Sequence, residues 1–144
     1  MFRNKKILAL IPARGGSKTI KLKNLKKIKN KTLIWHTANF IKKTKIFDLS
    51  IVSSDNSKII KEAKKNKLEV IYRPKNLSKD YISDIQVILH ALREINASDR
   101  FDYIVYLQPT SPIRKVNHLI STLNQVITKK YDGAWSVSSI DKKL

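Results

Sequence analysis

The 144-residue chain is about the size of one ordinary domain, large enough to bury a single core. It has no cysteine, hence no disulfide framework and no thiolate metal site, and no apolar run of the roughly 18 residues a membrane span needs. The net charge of +19, from 30 Lys and Arg against 11 Asp and Glu, is lopsided: 22 against 4 through Lys79, 8 against 7 afterwards.

The elements follow in chain order. Residues 7–11 form a short β-branched apolar run that predicts a strand buried on both faces. The polar loop IPARGGSK, residues 11–18, follows this strand, and a helical pattern occupies residues 32–43. A second strand is predicted over 49–52, ending in SSD, then a helix over 57–66 and a third strand over 68–72, ending in YRP; both strands, like a fourth further along the chain, also read as buried on both faces. The helix predicted over 83–96 has the 3.6 period, with Ile85, Ile88, Leu89, Leu92 and Ile95 on one stripe and Ser83 as N-cap. A fourth strand over 103–107 runs into QPTSP, a helix follows over 117–130, and residues 134–137 read as a weaker fifth strand. This alternation predicts an α/β fold, a mostly parallel doubly wound sheet in one domain covering 1–144. In such sheets the strand C-terminal ends line the ligand edge, where four polar turn-forming clusters of this sequence fall.

The loop after the first strand matches neither GxxxxGK[ST] nor GxGxxG. It still has the parts of an anion cradle: Gly15 and Gly16 for close backbone approach, Arg14 to fork onto phosphate oxygens, and Lys18 and Lys23 as point charges. The bland alternative is a surface turn with solvated lysines. Between Lys18 and Lys31 lie seven lysines and no acid, the composition of a nucleic-acid-binding face. The same excess follows from A- and T-rich codons, since 24 Lys, 20 Ile and 10 Asn occur together, so charge alone selects no function.

The stretch IPARGGSKTIKLKNLKKIKNKTLIWHTA resembles the opening signature of the acylneuraminate cytidylyltransferases, whose usual form is close to IPARGGSKGIPGKNL. The pieces IVSSD, EVIYRP, LSKDYISDIQVILHAL and YLQPTSPIR agree with that family in order and spacing. The resemblance implies a Rossmann-like sheet of the nucleotide-diphospho-sugar transferase type. It also implies transfer of CMP from CTP to a nonulosonic, sialic-type sugar acid with release of pyrophosphate, and Mg²⁺ as cofactor. Arg14 and Lys23 are implied as the catalytic pair on the triphosphate, with Gly15, Gly16, Ser17 and Lys18 completing the loop. Ala13 and Asn24 resemble positions lining cytosine and ribose, Arg73 an arginine that helps recognise the base, and Ser83 a nucleotide contact as well as a cap. Gln108 resembles a residue facing the sugar acid, with Thr110 and Ser111 shaping the loop beside it.

Three positions depart from the signature. Thr19 stands where Gly is usual, Lys21 where Pro is usual, and Leu22 where Gly is commoner. A β-branched residue at φ > 0 costs on the order of 1 kcal/mol or more. Family members are also considerably longer, and the remainder carries the metal aspartates, much of the sugar-acid pocket and the dimer arm. The expectation is therefore an N-terminal portion with the C-terminal part missing and no metal ligands of its own. Such a chain binds nucleotide weakly and does not turn over, while the full-length version is a cytoplasmic homodimer with no nucleic-acid or membrane partner. The alternatives are a sister enzyme for another keto-sugar acid such as octulosonate, and a basic nucleic-acid-binding protein. His36, His90 and His118 have no metal-ligand spacing and read as core or surface residues. Asp55 reads as a cap of the following helix, shared with Asn56 or Ser57.

Overall fold

The computed structural model describes residues 1–17, 19–96 and 100–137, so Lys18 lies outside the described residues. The chain divides into two compact units, Met1–Ile113 and the residues from Arg114 on.

In the first unit, β1 (Ile7–Pro12) is followed by a single 3₁₀ turn at Lys23–Leu25 and a two-stranded hairpin, β2 (Lys27–Ile28) and β3 (Lys31–Thr32). Then come α1 (Leu33–Thr44), β4 (Leu49–Ser54), α2 (Ser57–Lys65) and β5 (Glu69–Tyr72). After a 3₁₀ turn at Lys75–Ser78, the unit closes with α3 (Asp84–Glu94) and β6 (Tyr103–Tyr106). The main sheet has the order β5-β4-β1-β6, and all its pairings are parallel. The registers pair Pro12 with Ser53, Leu10 with Tyr106 and Ser54 with Tyr72, which brings the C-terminal ends of all four strands to one edge. From β1 the chain moves outward through β4 to β5, then returns to the other side of β1 as β6. The order reverses between β1 and β6, and at such a reversal an open α/β sheet leaves a crevice beyond its strand ends.

β1 is the central strand: Ile7, Leu8, Ala9, Leu10 and Ile11 are all fully buried. Full burial of one such aliphatic side chain is worth about 1.5–3 kcal/mol, so this strand is a main source of the fold's stability. Leu8 and Leu10 cluster with Ile51, Ile71 and Ala91, and because side chains alternate along a strand, Ile7, Ala9 and Ile11 face the opposite layer. The helices start where their caps require. Thr32 accepts from the Trp35 N–H at 3.0 Å, and Asn56 accepts from the amides of Lys58 and Ile59. Ser83 and Gln86 form a capping box at the start of α3.

α3 corrects one expectation. Its covered face is Val87, Ile88, Ala91, Leu92 and Ile95, whereas Ile85 is 67% and Leu89 46% exposed. The sheet-facing stripe centres on the buried Val87 and Ala91, and Ile85 and Leu89 lie at its outer edge, in solvent. The β2–β3 hairpin was not expected, since its residues KI and KT carry too little apolar pattern to register as strands.

The second unit contains α4 (Val116–Lys129), which ends at Lys130 in the left-handed region with its N–H on the Val126 carbonyl. Residues 134–137, expected as the fifth strand, are not a strand. A strand is stabilised by a neighbouring ladder and a covered face. No ladder includes these four residues, and Trp135 and Val137, which such a strand would bury, are 92% and 88% exposed.

Candidate nucleotide-binding cleft

A cleft of about 320 Å³ lies at the sheet's reversal point, beyond the C-terminal ends of β1 and β6. It is built from three segments. The turn after β1 supplies Arg14, Gly16 and Ser17, continued by Lys23 and Asn24 of the first 3₁₀ turn. The segment after β5 supplies Arg73, Asp80 and Asp84, and the end of β6 supplies Tyr106, Gln108 and Thr110.

The end of β4 organises the first two segments. The Ser53 carbonyl accepts from the Ala13 N–H at 3.0 Å, and the Ser54 carbonyl accepts from the Arg73 N–H at 2.8 Å. Both serines are fully buried. The next residue, Asp55, accepts the Gly15 N–H at 2.7 Å, and on the other side the Arg14 carbonyl accepts from Asn24 Nδ2 at 3.1 Å. Gly15 has no space for a side chain: a Cβ there would stand 2.7 Å from Asn56 Cβ. A Cβ on Gly16 would meet nothing within 4 Å, so that position is open to the cleft. The loop's left-handed residue is Leu22, at φ 49° and ψ 46°, immediately before the 3₁₀ turn that carries Lys23 and Asn24.

The cleft's electrostatics centre on its arginines. The Arg14 guanidinium pairs with Asp80 and also donates to the Ser78 carbonyl at 3.4 Å. Arg73 is only 3% exposed, and its Nε and one terminal nitrogen have no hydrogen-bond partner within the protein. Burial lowers its pKa from the ordinary arginine value, against the attraction of Tyr106, Asp55 and Asp84. Arg73 lines the cleft with a guanidinium whose two buried nitrogens are unpartnered, and such a group is stabilised by a ligand or water that brings it acceptors. The Tyr106 hydroxyl donates to Asp84 Oδ1 at 2.8 Å, and burial, reinforced by that bond, pushes the phenol well above its usual pKa.

Of the residues named from sequence, Arg14, Gly16, Ser17, Lys23, Asn24, Arg73, Gln108 and Thr110 therefore line one cleft. Ala13 is fully buried behind it, Gly15 faces Asn56, and Ser83 is the helix cap, with its neighbours Ile82 and Asp84 on the cleft wall. Ser111 closes the turn with its N–H on the Gln108 carbonyl at 3.1 Å. Asp55 is not the cap of α2, which is Asn56; its carboxylate takes the Gly15 amide instead. The expected cradle of backbone amides is correspondingly altered, because Gly15 directs its N–H away from any ligand.

The family model described as Cytidylyltransferase matches residues 8–143. The chain belongs to the cytidylyltransferase family. It is 33% identical over 138 residues to N-acylneuraminate cytidylyltransferase of Escherichia coli O18:K1:H7, covering 95% of this chain and 32% of that protein. It is 36% identical over 110 residues to a pseudaminic acid cytidylyltransferase of Campylobacter jejuni, covering 75% of this chain and 47% of the relative. Among solved structures, CMP:2-keto-3-deoxy-manno-octonic acid synthetase complexed with CTP superposes with a TM-score of 0.74 at 18% identity, covering 88% of this chain and 49% of that one. The chain thus spans about a third to half the length of these relatives.

The Rossmann-like fold expected of a cytidylyltransferase is present in the first unit. Sequence reading missed the partners that hold the cytidylyltransferase loop: Asp80 and the Ser78 carbonyl on Arg14, and the Asp84–Tyr106 pair. Asp84 looks in sequence like an ordinary acid in a helix's first turn, and Tyr106 like a strand residue. Among the described residues, no three His, Cys, Asp or Glu gather as a metal would require. The cleft wall carries two carboxylates, Asp80 paired with Arg14 and Asp84 accepting from Tyr106. Mg²⁺ is commonly held by one or two carboxylates together with substrate phosphates, so this pair fits at most a site that the nucleotide completes. No described helix is long and apolar enough to cross a membrane.

Proposed function

We propose that this cleft binds CTP and that the protein serves cytidylyl transfer to a nonulosonic sugar acid. The observation that carries the reading is the convergence of Arg14, Lys23, Asn24 and the buried, under-used Arg73 on one crevice at the sheet's reversal point. Family membership and relatives named for acylneuraminate and pseudaminic acid support it. In the reaction, the anomeric hydroxyl of the sugar acid attacks the α-phosphorus, and pyrophosphate departs in line. No covalent intermediate on the protein is needed, so positioning and charge stabilisation carry the rate. Arg14 and Lys23 offset the phosphate charge, and Ser17 and the open face of Gly16 admit the phosphates close to the backbone. Arg73 and Asn24 hold the nucleoside, while Gln108 and Thr110 face the acceptor sugar acid. A divalent cation, Mg²⁺ in this reading, would be held by Asp80 or Asp84 together with the phosphates of CTP and would offset their charge; none of the roles above depends on it.

The test is calorimetric titration of the purified protein with CTP, with ATP and duplex DNA as controls. Saturable CTP binding that DNA does not displace is expected, and Arg14→Ala abolishes it while the circular dichroism spectrum stays unchanged. Absence of CTP binding, or displacement by duplex DNA, overturns the reading.

A further inference from the structure

One peptide in the turn after β1 is held at both of its polar ends by side chains from elsewhere in the chain. The Arg14 carbonyl and the Gly15 N–H belong to the same peptide bond; Asn24, 10 residues on, takes the first and Asp55, 40 residues on, takes the second. A peptide is planar, so fixing its oxygen and its hydrogen fixes the whole unit. That sets the position of the Arg14 Cα at the edge of the cleft, the point from which the side chain reaches Asp80 and the Ser78 carbonyl.

Two further features make the arrangement specific. Asn56 packs against Gly15 so closely that only a residue without Cβ fits, which brings the turn within reach of the end of β4. Asn56 also caps α2 through the amides of Lys58 and Ile59, which leaves the Asp55 carboxylate to the loop. The Asp55 bond, at 2.7 Å, is short for an amide donor, as expected when the acceptor is ionised.

We propose that Asp55 is a positioning residue: with Asn24 opposite, it locks the Arg14–Gly15 peptide and thereby aims the Arg14 guanidinium into the cleft. Asp55 touches no reacting atom in this scheme and acts through Arg14. The proposal rests on the reading of the cleft as a CTP site, but the lock itself is observable without nucleotide.

Two measurements on the purified protein test it. Hydrogen exchange of the Gly15 amide, read by NMR, accelerates about tenfold or more in Asp55→Ala, as expected for loss of a charge-assisted hydrogen bond. CTP binding by calorimetry weakens about tenfold in the same variant while its thermal midpoint stays close to wild type. Asp55→Asn, which keeps an acceptor oxygen but not the charge, restores both in part. An unchanged Gly15 exchange rate overturns the proposal even if the protein binds no CTP, and so separates its failure from that of the cleft reading. CTP affinity within twofold of wild type in Asp55→Ala, or loss of the fold in that variant, also overturns it.

Discussion

Arg14 and Asp80 form an ion pair on the wall of the cleft, and Arg14 adds a 3.4 Å hydrogen bond to the Ser78 carbonyl. A protein carboxylate thus occupies the guanidinium that the proposed function assigns to phosphate. Removing that competitor leaves Arg14 free to turn to the nucleotide. Asp80→Asn is therefore expected to tighten CTP binding, by up to about fivefold, because a partly exposed pair is worth no more than about 1 kcal/mol. Calorimetry at low salt checks this, and weaker binding would mean that Asp80 aims Arg14 instead of competing for it.

The two loop glycines should respond in opposite ways. Gly15→Ala adds a Cβ that would stand only 2.7 Å from the Asn56 Cβ, and is expected to cost about 1–3 kcal/mol. Gly16→Ala meets nothing within 4 Å and should leave thermal stability within about 0.5 kcal/mol. Thermal unfolding of the two variants side by side gives the comparison.

Leu22 occupies a left-handed conformation that costs an L-residue about 1–2 kcal/mol, part of which glycine would return in greater freedom of the unfolded chain. Leu22→Gly is expected to raise stability by up to about 1 kcal/mol. A lowered thermal midpoint would show that packing of the leucine side chain outweighs its backbone strain.

These residues also mark how far the sequence could be read. The short β-branched apolar runs placed β1, β4, β5 and β6, and the 3.6-residue pattern the four helices; burial on both faces, expected for every strand, holds for β1 but not for β5 at the sheet edge or for the half-buried β6. The same patterns put the polar clusters at the strand ends, and hence the cleft. The strand expected over 134–137 failed because four apolar-leaning residues state a preference but not a partner. The links from Asp80 to Arg14 and from Asp55 to Gly15 were illegible for a related reason. They join residues 66 and 40 positions apart (80 − 14 and 55 − 15), and neither carboxylate sits in a pattern that names its partner.

Tyr106 supplies a pH signature. Burial first, and its bond to Asp84 second, favour the neutral phenol in the folded state. The associated stability is fully present below the unfolded tyrosine pKa of about 10 and is lost as pH rises through the higher folded value. Tyr106 should therefore ionise only above the ordinary tyrosine range. Alkaline titration of tyrosinate absorbance is expected to show this late component in the wild type and not in Tyr106→Phe.

The Gly15 amide, turned toward Asp55, has a consequence for how anions are held. A cradle of backbone amides binds phosphate through fixed, short-range dipoles and depends weakly on ionic strength. Here that amide is committed, and the positive charge nearest solvent in the cleft belongs to the long side chains of Arg14 and Lys23, with Arg73 buried behind them. Full charges near solvent act over distances that salt shortens, with a Debye length of about 10 Å at 0.1 M. On the proposed reading, binding of a polyphosphate to the cleft weakens as the ionic strength of its surroundings rises.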